Sequence, residues 1–387
     1  MMSTSHPEPA APVATPVVDA RELTYEGFVN DYMAVGEPVI VRGLTDDWAA
    51  VREWVTPEGL PDLDFLVRKF GHSRICVSDC SQASEYGAQP AEIMSLAEYV
   101  SWWRRPDREG VLYLKDWHFA AEHPEYQAYT CPPIFMDDWL NEWHDVLRHG
   151  QPACNGDGSS PAPPAASRSS LVTSDYRFVY LGPEGSSTPL HHDVLMSHSW
   201  SVNIAGVKHW TLVPPSHTEH MYRPGTKQLA RTLHGPSGEG WPGLAQARQA
   251  AREFIQQPGD AIFVPSGWHH EVLNASPALS INHNWINEHA MPHLWRLLTE
   301  ETAAAEALIE DCRGLCSPRE FQGLVARNVE ANLGLGWAGV REMLRCACRS
   351  TEGHEGVGAN AWPWMQRRSE AVQAWLSRPE WDVHVDP

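Results

Sequence analysis

The chain has 387 residues, 42% hydrophobic and 20% charged, enough for one large domain or two average ones with a sizeable core. Its 29 Lys and Arg against 49 Asp and Glu leave a net charge of −20. This argues against a nucleic-acid face and suits a basic protein partner reached by electrostatic steering. Beside that acidity stand 18 Trp and 20 His. Trp supplies stiff core area, whereas so many imidazoles prompt a search for a metal.

Met1 to Pro16 is rich in Pro, Ala and Ser and reads as disordered, so residues 1–20 are taken as an N-terminal tail. It has no apolar run behind a basic start, which argues against a secretory signal, and no stretch is long and apolar enough for a membrane span. Pro38–Leu44 reads as a short strand ending in a Gly turn, Ile75–Val77 and Val111–Leu114 as further strands, and Met94–Val100 as the start of a helix. Residues 151–170 form a low-complexity insert of Gly, Ser, Pro and Ala. From 171 to 287, short β-rich runs alternate with turns, among them Arg177–Tyr180 and Ala261–Val264, with a second Gly/Pro-rich loop at Gly235–Gly243. That spacing indicates a sandwich or barrel, not βαβ units. After Asn287 the apolar positions take helical spacing, and Ser317-Pro318-Arg319-Glu320 fits a capping box. Residues 289–387 therefore read as a helical region that either covers the β-core or offers a dimer surface. The eight Cys contain no C-x-x-C pair, and Cys312, Cys316, Cys346 and Cys348 read as small buried hydrophobes in helices, not as a zinc site.

Thr188-Pro189-Leu190-His191-His192-Asp193 contains H-x-D. Residues two apart on a strand share a face, so His191 and Asp193 could grip one ion. A second imidazole would complete two His and one carboxylate, a set that holds one face of an octahedral Fe(II) and leaves positions open. The motif alone is weak, because six His have an acid two residues on. Context favours His191, which follows a strand-like run in the β-rich region.

A Pro258-Gly259-Asp260 turn leads into an apolar strand, then a Pro265-Ser266-Gly267 break, then a strand carrying His269 and His270. Trp268, His270 and Val272 alternate onto the more apolar face, which favours His270 as third ligand, although a bulge would reverse the phase. Lys208 alternates with Trp210 and Leu212, so it points inward; a buried ammonium needs a partner, and the distal carboxylate of an oxoacid would supply one.

These segments, with E-P-V-I-V-R-G-L, L-Y-L-K-D-W-H-F and P-P-I-F-M-D-D-W-L upstream, resemble the JmjC-domain 2-oxoglutarate oxygenases, and their hydroxylase branch in particular, from about residue 21 to about 288. The resemblance implies a double-stranded β-helix, or jelly roll of cupin type, carrying a catalytic domain over 21–288. It implies Fe(II) held by His191, Asp193 and His270. It implies 2-oxoglutarate with its C5 carboxylate on Lys208, helped by Tyr113 and Thr188, and with Ser201 and Asn284 lining the pocket. Ser201 departs from the Asn of some relatives. The implied reaction couples O2 and decarboxylation of 2-oxoglutarate, to succinate and CO2, with hydroxylation of a C–H bond. The implied substrate is a lysine side chain of the translation termination (release) factor, in the cytoplasm or nucleus, with no nucleic acid or membrane partner and the oligomeric state left open. Two other readings stand beside it: a JmjC lysine demethylase, disfavoured because many carry H-x-E and zinc or histone-reading modules, and a catalytically silent jelly-roll scaffold.

Overall fold

The computed structural model describes residues 14–82, 89–149, 175–234, 240–352 and 364–384. In chain order the strands are β1 (Val17–Asp19), β2 (Val39–Arg42), β3 (Arg74–Asp79), β4 (Ala91–Ser95), β5 (Leu112–Trp117), β6 (Arg177–Gly182) and β7 (Ser187–His192). There follow β8 (His198–Ala205), β9 (Lys208–Val213), β10 (Arg252–Gln256), β11 (Ala261–Val264), β12 (His269–Asn274) and β13 (Ala278–Trp285). They form a nine-stranded sheet, β1-β2-β11-β8-β13-β6-β5-β3-β4, and a four-stranded sheet, β10-β9-β12-β7. Every neighbouring pair is antiparallel except β1 with β2. The mainly β core with flanking helices is the jelly-roll architecture that the resemblance implied, within the sandwich-or-barrel class that the turn-punctuated runs indicated.

Strand alternation explains why the sheets stack. In β2 and β11, Ile40, Ile262 and Val264 face one way and meet Trp210, Leu212, Trp268 and Val272 of the smaller sheet. Val39, Val41, Ala261 and Phe263 face the other way, into a larger core with Phe28, Trp48, Phe135 and Trp200. One period-two pattern thus feeds two apolar layers. The second layer is covered by the N-terminal helices, among them Leu63–Phe70 and Leu96–Trp103.

Two boundaries differ from expectation. The tail expected to reach residue 20 does not: Val17–Asp19 pairs with Ile40–Arg42, while residues 1–13 lie outside the described residues. The helix expected from Met94 begins at Leu96, because β4 runs through Ser95; Ser95 then caps it, with a box closed by Glu98. The 151–170 insert lies outside the described residues, as does 235–239 of the second loop.

The capping box at Ser317 forms, with Ser317 Oγ accepting from Glu320 N and Glu320 Oε2 accepting from Ser317 N. The C-terminal helices Met291–Leu308, Pro318–Leu333, Trp337–Glu352 and Met365–Leu376 share one apolar core. Trp139, Leu140, Leu195 and Ile286 belong to it, so these helices cover one end of the β-core. Cys312, Cys316, Cys346 and Cys348 are free thiols. No helix among the described residues is long and apolar enough to cross a membrane.

Candidate functional site

Strand β7 is the edge of the smaller sheet and pairs with β12, so that His191 lies opposite His270 and His192 opposite His269. The register shifts beyond His270, with Thr188 opposite Val272, which inserts one extra residue on β7 beside Pro189. Proline cannot donate to a ladder, so a bulge at an edge is where it fits. The shift falls on the far side of His270 and leaves that pairing intact. Asp193 follows the end of β7 and opens a 3-10 turn.

His191, Asp193 and His270 each offer a ligand atom, and these atoms all lie within 4.8 Å of one another. Among the described residues this is the one such group of three or more. His191 Nδ1 lies 2.8 Å from the Pro189 carbonyl. A carbonyl only accepts, so Nδ1 carries the proton and Nε2 keeps its lone pair free. Asp193 Oδ2 accepts a hydrogen bond from Ser199 Oγ at 2.7 Å. The His270 ring stacks on Trp210, centroids 5.5 Å apart. Desolvation lowers the pKa of His191 and of His270, and in His191 the neighbouring His270 lowers it further. Both therefore stay neutral near pH 7, as imidazole ligands must. Two neutral nitrogens and one carboxylate converging with no cation among them fit a divalent Fe(II) ion.

The other imidazole pair faces away. His269 packs edge-on against His192 and meets the Tyr222 hydroxyl at 3.3 Å.

The cavity beside the triad is lined by Tyr113, Tyr180, Thr188, Ser199, Lys208, Trp210, Val272, Asn282 and Asn284. Lys208 is 2% exposed; its ammonium donates to Ser280 Oγ at 2.6 Å and sits 5.9 Å from the Tyr180 ring centre. Among the described residues no carboxylate pairs with it, and desolvation pulls its pKa down to about 7. A buried cation short of a counter-ion fits the distal carboxylate of 2-oxoglutarate. Tyr113 reaches the cavity because Gly182 lacks a side chain: a Cβ there would stand 2.5 Å from the Tyr113 ring.

Of the expected pocket residues, Tyr113, Thr188, Lys208 and Asn284 line the cavity. Ser201 does not. It faces β13 across the register pair Ser201–Asn282 and donates to Asn282 Oδ1 at 3.1 Å, so Asn282 is the residue that reaches the cavity. Asn284 also donates to Ser197 Oγ at 3.1 Å. Tyr180, Ser199 and Asn282 went unnoticed as pocket residues. The usable signal was the alternation Ser280, Asn282, Asn284, three small polar residues on one face of an otherwise apolar strand.

Comparison with known proteins agrees with this geometry. A family described as "Cupin-like domain" matches residues 25–291. The chain is 40% identical over 321 residues to "Arginine-specific demethylase JMJ20" of Arabidopsis thaliana, covering 82% of this chain and 66% of the relative. It is 37% identical over 302 residues to "2-oxoglutarate and iron-dependent oxygenase JMJD4" of Danio rerio, covering 76% and 65%. To the Homo sapiens protein of that name it is 35% identical over 314 residues, covering 77% and 67%. The chain thus spans about two thirds of the length of these relatives. The motifs pointed to JmjC domain-containing protein 4 within the family, and these relatives bear that likeness out. With the jelly roll, the triad and these matches together, the chain belongs to the cupin-like JmjC domain family.

Proposed function

We propose that the protein is an Fe(II)- and 2-oxoglutarate-dependent protein hydroxylase that acts on a lysine side-chain carbon of the translation termination factor. One observation carries the reading: His191, Asp193 and His270 converge beside a buried, uncompensated Lys208 in a single cavity. A silent scaffold would have no need to bury that cation. When bound, the iron and 2-oxoglutarate supply oxidation of an unactivated C–H bond by O2, with release of succinate and CO2.

The chain's own residues hold and orient. His191, Asp193 and His270 would hold the metal, with Pro189 and Ser199 fixing the ring and the carboxylate. Lys208 would hold the C5 carboxylate, with Tyr113 and Thr188 beside it and Asn282 and Asn284 along the wall. Trp210 and Val272 keep water from the inner wall. Through the resemblance the substrate is a lysine of the termination factor, and the chain's charge of −20 suits a basic segment.

A second reading is demethylation, favoured by one relative whose name is an arginine-specific demethylase. Mass spectrometry of basic peptides from the termination factor, incubated with protein, Fe(II) and 2-oxoglutarate, separates the two. A gain of one oxygen on lysine supports hydroxylation, and loss of a methyl from a methylated peptide supports demethylation. If wild type and His191→Ala hold equal iron after anaerobic purification, the metal assignment fails.

A further inference from the structure

One strained residue hydrogen-bonds a tyrosine that lines this site. Asp116 has φ 53°, left-handed for a residue with a side chain, and lies in β5 where the register with β6 shifts. Leu114 faces Leu181 and Trp117 faces Val179, so β5 carries one extra residue. Such bulges re-aim a side chain, and left-handed non-glycine backbone persists only where the surrounding structure over-determines it. What the bulge aims is a carboxylate. Asp116 is exposed, and its Oδ1 accepts a hydrogen bond from the Tyr180 hydroxyl at 2.5 Å. Tyr180 itself lines the triad cavity and faces Lys208. Its side chain thus links the cavity that holds the triad to the exposed Asp116 carboxylate.

The chemistry at Asp116 follows from the charges around it. Deep in the cavity sits the Lys208 ammonium, which suits an anion. Lys115, beside Asp116, is buried, lies 5.2 Å from the Tyr113 ring centre and donates to Gln89, and it makes no hydrogen bond to Asp116 among the described residues. Asp116 Oδ2 accepts no hydrogen bond among the described residues. An exposed carboxylate with one oxygen engaged and the other open, one hydrogen bond outward from a tyrosine that lines the cavity, suits a cation arriving from solvent. A guanidinium binds best with two parallel bonds to both oxygens of a carboxylate, whereas an ammonium is a point charge satisfied by one.

We propose that Asp116, positioned by Tyr180, is the specificity-determining residue that receives the ammonium of the target lysine and so places its side-chain carbons before the triad. This rests on the hydroxylase reading for its consequence, but it is tested by binding alone. Three pooled peptide libraries with randomised flanks, centred on lysine, arginine or norleucine, are offered without oxygen to full-length protein loaded with Mn(II) and 2-oxoglutarate. The expected result is retention of the lysine library roughly tenfold above the norleucine library, the scale of a hydrogen bond to a charged group. Asp116→Asn should bring that ratio close to one, and Asn tolerates the left-handed backbone, so the fold is kept.

Equal retention of lysine and norleucine libraries by wild type overturns the proposal, and that comparison needs no protein variant. Undiminished discrimination in Asp116→Asn overturns it also, and arginine retained as well as lysine overturns the ammonium assignment. Failure of the hydroxylase reading looks different: lysine discrimination is present, yet no peptide gains oxygen when iron and air are restored.

Discussion

The Lys208 ammonium makes cosubstrate binding depend on pH in a direction that the structure dictates. Burial lowers its pKa from 10.5 to about 7. At about 1.4 kcal/mol per tenfold, that drop amounts to about 5 kcal/mol against the charged form in the folded protein. The folded pKa lies below the unfolded one, so this penalty is fully present below the folded pKa. It fades as pH rises toward 10.5. A carboxylate placed on the ammonium offsets it and raises the pKa of Lys208 in the complex. Binding of 2-oxoglutarate therefore takes up a proton once the free protein has begun to lose it. Between about pH 6.5 and pH 8.5 the dissociation constant should rise roughly 25-fold, the ratio of protonated fractions for a group near 7. His191 and His270 contribute little in this window, because desolvation lowers both and keeps them neutral throughout. The assay is calorimetric titration of 2-oxoglutarate into Mn(II)-loaded protein without oxygen. Lys208→Arg stays charged at every pH and should bind more weakly in a fixed pocket, but with a flat profile. A flat profile in wild type, or an unchanged slope in Lys208→Arg, would refute the assignment of Lys208 to the cosubstrate carboxylate.

Three other outcomes are expected. His270→Ala should abolish turnover and iron retention, whereas His269→Ala, which touches His192 and Tyr222, should keep both; the reverse result in iron analysis would move the ligand by one residue. Ser199→Ala removes the hydrogen bond that fixes Asp193 and should weaken metal affinity roughly 10- to 100-fold in a competition titration. Arg368, 2% exposed, pairs with Asp137 and Glu142. Arg368→Ala strands those carboxylates and should cost about 3–5 kcal/mol in denaturant unfolding, a loss read as a lower midpoint.

Much of the site was legible because each element obeyed a short-range rule. The two-residue spacing brings His191 and Asp193 together although Asp193 lies just past the end of β7, and the Pro-Gly-Asp and Pro-Ser-Gly turns mark where the strand bearing His270 begins. Lys208 was legible because a cation in alternation with Trp210 and Leu212 has no solvent side. What escaped depends on pairing between distant segments. Ser201 and Asn282 are register partners, and only the three-dimensional pairing decides which of the two reaches the cavity. The strand Val17–Asp19 is three residues long and exists because Ile40–Arg42 offers it an edge, which no local pattern in a Pro- and Ala-rich stretch can announce. Asp116 is concealed for the same reason. The sequence reads as a strand only over Val111–Leu114, and the extra residue that turns the carboxylate outward appears only against β6.

The C-terminal helices bear on the site through the residue pair that follows Asp193. Leu195 and Met196 have φ of 57° and 52°, a conformation that side-chain-bearing residues hold only when packing enforces it. Leu195 is buried in the apolar core shared with Leu294, Leu298 and Val340 of those helices. The Met196 carbonyl accepts from Ser266 Oγ, which also meets His293 Nδ1 at 2.8 Å at the start of the first of them. The turn that carries Asp193 away from β7 is thus clamped from both sides, by apolar packing and by a serine that leads into the strand of His270. A carboxylate held this way keeps its direction without metal, and the helical region is part of what holds it.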